Sequence, residues 1–104
     1  MRYDVNVKTY MKTKEAIKVA QEVFAAESTI SQVRATFLTI RGEANHIDIT
    51  VFVDGGREAE SAAIPRLIEF MRRVRDVPVE FMVLPTASAE QHQHQAETLV
   101  YSRD

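Results

Sequence analysis

Two runs rich in β-branched and aromatic residues, Ile30 to Arg41 and His46 to Asp54, are separated only by Gly42, Glu43, Ala44 and Asn45. Strands this close in sequence pair antiparallel, and directly opposed residues must point to the same face of the sheet. Pairing Arg41 with Ile47, Thr39 with Ile49, Phe37 with Val51 and Ala35 with Val53 brings the two apolar sets together. A two-residue turn at Ala44-Asn45 would oppose odd to even positions and mismatch the faces. The spacing therefore predicts a three-residue loop over residues 43–45.

The rest of the chain is read around this hairpin. From Arg2 to Tyr10 the residues alternate, Tyr3, Val5 and Val7 against Asp4, Asn6 and Lys8, which is the pattern of a half-buried strand. Ala16, Ile17, Ala20, Val23 and Phe24 form a helical stripe, predicting a helix over 14–27 capped by Thr13. Asp54-Gly55-Gly56 reads as a turn, and Ile64, Leu67, Ile68, Met71 and Val74 mark a second helix. A cap at Ser61 would place Pro65 in its first turn, where no N–H is needed. Val79, Phe81 and Val83, alternating with Glu80, Met82 and Leu84, predict a further strand.

The resulting order, β-α-β-β-α-β, predicts an α+β ferredoxin-like domain over residues 1–85. Its four-stranded antiparallel sheet would have the order 4-1-3-2, with both helices on one face. Residues 86–97 contain no large apolar side chain and read as a polar loop or linker. Residues 98–104 have strand composition and form a C-terminal tail or fifth strand, packed on its own chain or on a partner's. The plan resembles in outline the dimeric α/β-barrel group over about residues 2–84. That resemblance implies paired sheets, and it carries no residue over, because the group's Trp- and His-bearing site patterns have no counterpart here.

Composition sets the limits. The 104 residues include 45% hydrophobic side chains, only three Gly and three Pro, and no Cys. A single core without disulfides or thiolate metal sites follows, and a reducing, cytoplasmic setting is the expectation. No apolar run is long enough to span a membrane. The formal charge is −2 and the sequence pI about 5.9, which argues against a role built on phosphate-backbone binding. The aromatic platform of RNA-recognition sheets is also missing, since on the expected open face the third strand offers only Phe52. Gly55-Gly56 lacks the Lys and hydroxyl of a phosphate loop.

On the face opposite the helices the pattern leaves a surplus of apolar side chains among polar ones. The candidate ligand or interface residues are Tyr10, Leu38, Ile40, Asp48, Thr50, Phe52, Met82 and Leu84. The expected function is non-catalytic: a homodimer binding a small molecule or protein partner through this face. The alternative is a small enzyme of the dimeric-barrel type, with His46, Asp48 and Tyr10 as the only plausible acid or base groups. His92-x-His94, with Glu90 or Glu97 as an oxygen donor, has metal-ligand spacing but no fixed scaffold in the sequence, so no metal site and no cofactor are expected.

Overall fold

A computed structural model of the chain describes residues 9–92 and 96–104. The elements run α1 (Thr13–Phe24), β1 (Ile30–Ile40), β2 (Glu43–Val53), α2 (Arg57–Val74), β3 (Val79–Pro85), a 3-10 turn (Thr86–Ser88) and β4 (Thr98–Ser102). The strand expected over residues 2–10 lies outside the described residues except for Thr9 and Tyr10. No helix among the described residues is long and apolar enough to cross a membrane.

The molecule is a small α+β domain with a four-stranded mixed sheet, ordered β3-β2-β1-β4. The ferredoxin-like order 4-1-3-2 is therefore corrected. Residues 79–85 pair directly with β2 and run parallel to it, with Asp48 opposite Glu80 and Thr50 opposite Met82. No strand stands between them, whereas the ferredoxin-like plan needs the first strand there. The α2 crossover returns the chain so that β3 runs parallel to β2, as in any β-α-β unit, and β3 then takes the edge of β2 that β1 leaves open. The other edge is taken by β4, antiparallel to β1 of its own chain.

The hairpin of β1 and β2 forms with a different register. The turn is at Arg41-Gly42, both with positive φ (55° and 81°), the conformation that matches the strand twist in a two-residue hairpin loop. It places Ile40 opposite Glu43, an even–odd pairing that would put the wrong faces together. A bulge at Asn45 corrects this, because Thr39 pairs with Ala44 while Leu38 already pairs with His46. Beyond the bulge, even positions on both strands share one face, four residues out of step with the expected pairing but with the expected sides.

Odd-numbered sheet residues Val33, Ala35, Ile47, Ile49, Val51 and Val53 pack under both helices. From α1 come Ala16, Val19, Ala20, Val23 and Phe24, and from α2 Ala59, Ala63, Leu67, Phe70 and Val74. The α2 stripe is thus rotated from the expected one, leaving Ile64 and Ile68 exposed and burying Phe70 instead. Because α2 begins at Arg57, with Glu58 and Glu60 favourably placed in its first turn, Pro65 sits in the helix interior rather than at its start. Phe81, expected under the helices, is about half exposed because β3 is an edge strand.

The end of β2 is tied to the C-terminal segment. Arg103 pairs with Asp54 at 2.6 Å, and the Arg103 guanidinium also donates to the Ser28 carbonyl. Hydrogen bonds from the Thr86 hydroxyl and then from Arg103 hold the Asp54 carboxyl below its ordinary value of 3.8. A lowered folded-state value stabilises the fold above the unfolded value, and that contribution is lost as pH falls through the folded one. Thermal melts between pH of about 5 and 2 should show Asp54→Asn losing less stability on acidification than the wild type. Parallel curves for the two proteins would rule out this latch.

Candidate functional site

The open face is built by the even positions of β1 and β2 and by their neighbours on β3. The bulge at Asn45 sets the side on which His46 and Asp48 emerge; without it the Arg41-Gly42 turn would turn both toward the helices. Parallel pairing then lays Glu80 directly beside Asp48. As a result one ligand atom from each of His46, Asp48 and Glu80 lies within 4.8 Å of the others, and His46 Nε2 stands 3.9 Å from Glu80 Oε1.

This donor set fits a divalent cation. Metal–ligand bonds of about 2.0–2.2 Å require donors to close in by roughly 1 Å, and partly solvated side chains can do that by small rotations. The Glu80 side chain is 76% exposed and His46 about a third, so neither is locked in place. One imidazole nitrogen with two carboxylates is a mixed set compatible with Mn2+ or Zn2+.

Asp48 and Glu80 also line a cavity of about 250 Å³, bounded further by Thr36, Thr50, Met82, His92 and Glu97. Its far wall comes from the segment that follows β3. There, Arg34 donates to the His92 carbonyl at 2.6 Å and to Gln32 Oε1 at 2.9 Å. Its guanidinium lies 4.8 Å from the Phe52 ring centroid, and the His92 ring meets Phe52 edge-on at 5.8 Å. This cation–π and edge-to-face packing covers Phe52 completely. The loop expected to be only a polar linker is therefore anchored at its described ends, the more so because the Thr86 and Ser31 hydroxyls are 2.6 Å apart.

Of the eight expected open-face residues, Asp48, Thr50 and Met82 line the cavity, and Leu84 is half-buried on the same strand face. Leu38 and Ile40 are 57% and 51% exposed, away from the cavity. Phe52 is on the expected face but sealed under His92 and Arg34. Tyr10 is misplaced: it packs against the core, and its amide N–H donates to Glu43 Oε1. His46 and Asp48 come together; Tyr10 does not join them. Sequence reasoning missed Glu80 and discounted Glu97. The alternation in residues 79–84 puts Glu80 on the right face, but only the parallel register brings it to Asp48.

No protein-family model matches this chain, and no curated protein matches it. Among solved structures, the chain is similar to a crystal structure from Sulfolobus solfataricus, provisionally assigned as a nucleotidyltransferase. The TM-score is 0.52 at 22% identity, over 86% of this chain and 79% of that one. The likeness is one of fold. The expectation of a non-catalytic binding domain is corrected on this finding, because the solved structure that shares the fold is assigned to an enzyme class. The dimeric-barrel alternative falls with the ferredoxin-like topology on which it rested.

Proposed function

We propose that the domain is a metal-dependent nucleotidyltransferase, transferring a nucleoside monophosphate unit from a nucleoside triphosphate to an acceptor hydroxyl. The observation that carries the reading is the convergence of His46, Asp48 and Glu80 beside a cavity that Asp48 and Glu80 line, on a fold shared with a protein assigned to that class. Such transfer is mainly positioning and charge stabilisation, for which donors carried on paired strands are suited. When bound, a divalent cation supplies neutralisation of phosphoryl charge. Asp48, on the inner strand β2, fixes the depth of the site, and Glu80 and His46 flank it from β3 and from the residue after the bulge. The acceptor oxygen bonds to the α-phosphorus, the α–β anhydride bond breaks, pyrophosphate leaves and the hydroxyl proton passes to water.

The test is transfer from labelled nucleoside triphosphates, with Mn2+ or with chelator, for the wild type and Asp48→Asn. Metal-dependent label transfer that the variant lacks supports the reading. Transfer unaffected by chelator and by the substitution would overturn it.

Assembly with a second copy is part of the same proposal. Leu38 and Ile40 on β1 and Leu99 on β4 are each more than half exposed and lie on adjacent strands. Leu38→Glu should halve the mass in solution of a wild-type dimer. A wild-type monomer, or an unchanged mass in the variant, would remove this strip as an interface.

A further inference from the structure

The two edges of the sheet end differently. β4 closes one side with five residues, whereas β3 leaves seven at the other, with no strand paired beyond them among the described residues. An apolar edge strand is a template for further pairing, and native proteins cover it or charge it. Glu80 is the only charged residue on β3, and Phe81 and Met82 are each about half exposed. On the helix side, Ile64 and, one turn on, Ile68 of α2 are exposed as well, and a cavity of about 330 Å³ between α2 and β3 has Ile64, Phe81 and Val83 in its walls. A strand edge beside an apolar helix flank is the layout that takes up an extended segment as an added strand.

The chain's own N-terminal part arrives at one end of this edge. Lys12 bridges antiparallel to Glu43, and the Ala44 amide donates to the Met11 carbonyl. Thr9 and Tyr10 line a small cavity with Val74, Arg75 and Asp76, just before β3. Because β2 and β3 are parallel, the line of the Lys12–Glu43 bridge, followed back toward the N-terminus, runs antiparallel to β3. Counted back from that bridge, the chain is level with Ile47 at about Thr9, and Val79 stands beside Ile47. Residues 1–8 precede the described part, and as a strand they reach about 26 Å, enough to follow the seven residues of β3. Their sequence sets Tyr3, Val5 and Val7 against Asp4, Asn6 and Lys8.

We propose that residues 2–8 of the same chain dock on the β3 edge as an added antiparallel strand, with Lys8 opposite Glu80, Val7 opposite Phe81, Asn6 opposite Met82 and Val5 opposite Val83. In this register the apolar side chains fall on the helix side, against Phe81, Ile64 and Ile68, and the polar ones fall on the open face. A shift of two residues that sets Asn6 against Glu80 keeps the faces but loses the opposite-charge pair across the strands. Docking there turns Glu80 from an edge residue into an inner one and bounds the open face beside the triad. The inference is independent of the nucleotidyl-transfer reading.

Because the chain has no Cys, paired cysteines introduced into the full chain give a clean test. One protein carries Asn6→Cys with Met82→Cys, which the register places directly opposite; the control carries Val5→Cys with Met82→Cys, which it places on opposite faces. The effective concentration of each thiol pair is read from disulfide exchange with glutathione in metal-free buffer, with the product's mass measured under denaturing conditions. The expected result is a disulfide within one chain, with an effective concentration at least about tenfold higher for Asn6→Cys/Met82→Cys than for the control. Adding Lys8→Glu should lower that value by about threefold, and Glu80→Lys on top of it should restore it. Equal values for the two cysteine pairs overturn the docking, and a Lys8→Glu variant that changes nothing overturns the register. Disulfides that join ordinary to isotope-labelled chains in a mixture show that a second copy takes the edge, which overturns docking within one chain.

Discussion

Asp48→Asn is expected to weaken Mn2+ binding at the β2–β3 cluster by at least about 100-fold, and to remove metal-dependent nucleotide transfer with it. The estimate follows from the sensitivity of metal sites: losing a partner that merely orients a ligand already costs about 10–100-fold in affinity. Asp48 is itself one of the three candidate donors, and it pairs directly opposite Glu80. Asparagine keeps the size of the side chain and the backbone pairing with Glu80, but it removes the charge that opposes the cation. Because Asp48 is exposed, the metal-free stability should change by no more than about 0.5 kcal/mol. Titration calorimetry and chemical denaturation on the same samples separate the two effects. Binding within about threefold of wild type would show that His46 and Glu80 do not need Asp48, a result that ordinary first-ligand energetics would not allow.

The second large effect concerns the helices. Phe70→Ala should cost about 3–5 kcal/mol, the usual range for emptying a buried aromatic site. Phe70 and Phe24 are both fully buried, with ring centroids 5.6 Å apart at 36°, and they form the contact through which α1 and α2 share one core. Domains of this size are held by only about 5–15 kcal/mol, so the variant should sit near the edge of unfolding. Urea denaturation reads the loss directly; a change below about 1 kcal/mol would mean that the two helices pack by other contacts. Phe70→Leu should recover part of the loss, since it refills much of the volume.

The sequence reading was accurate where a local period decides the outcome and failed where distant segments must choose partners. Alternation in 30–41 and 46–54 identified which side chains face the helices, because parity along a strand survives a register error of four residues. It could not find the Arg41-Gly42 turn, since a positive φ at Arg41 goes against residue preference and is made workable by the compensating bulge at Asn45. The helical stripe of α2 was misjudged by treating Pro65 as a boundary. That reading discarded the first turn from Arg57 and rotated the buried face away from Phe70. Phe52 was counted as surplus surface because nothing in the polar run 86–97 announces that Arg34 and His92 will cover it.

By itself the sequence determined an α+β domain with two amphipathic helices over one face of a sheet, and an opposite face that carries Asp48. Alternation and helical spacing suffice for that, because each depends only on neighbours along the chain. The tertiary structure alone decided that β3 lies parallel to β2, that Glu80 therefore meets Asp48, and that Glu97 returns to the same cavity. Those contacts depend on how an 18-residue helix spans the sheet and on which edge the last strand finds. Such choices are made by the hydrogen bonding and packing of the whole molecule, and no local pattern encodes them.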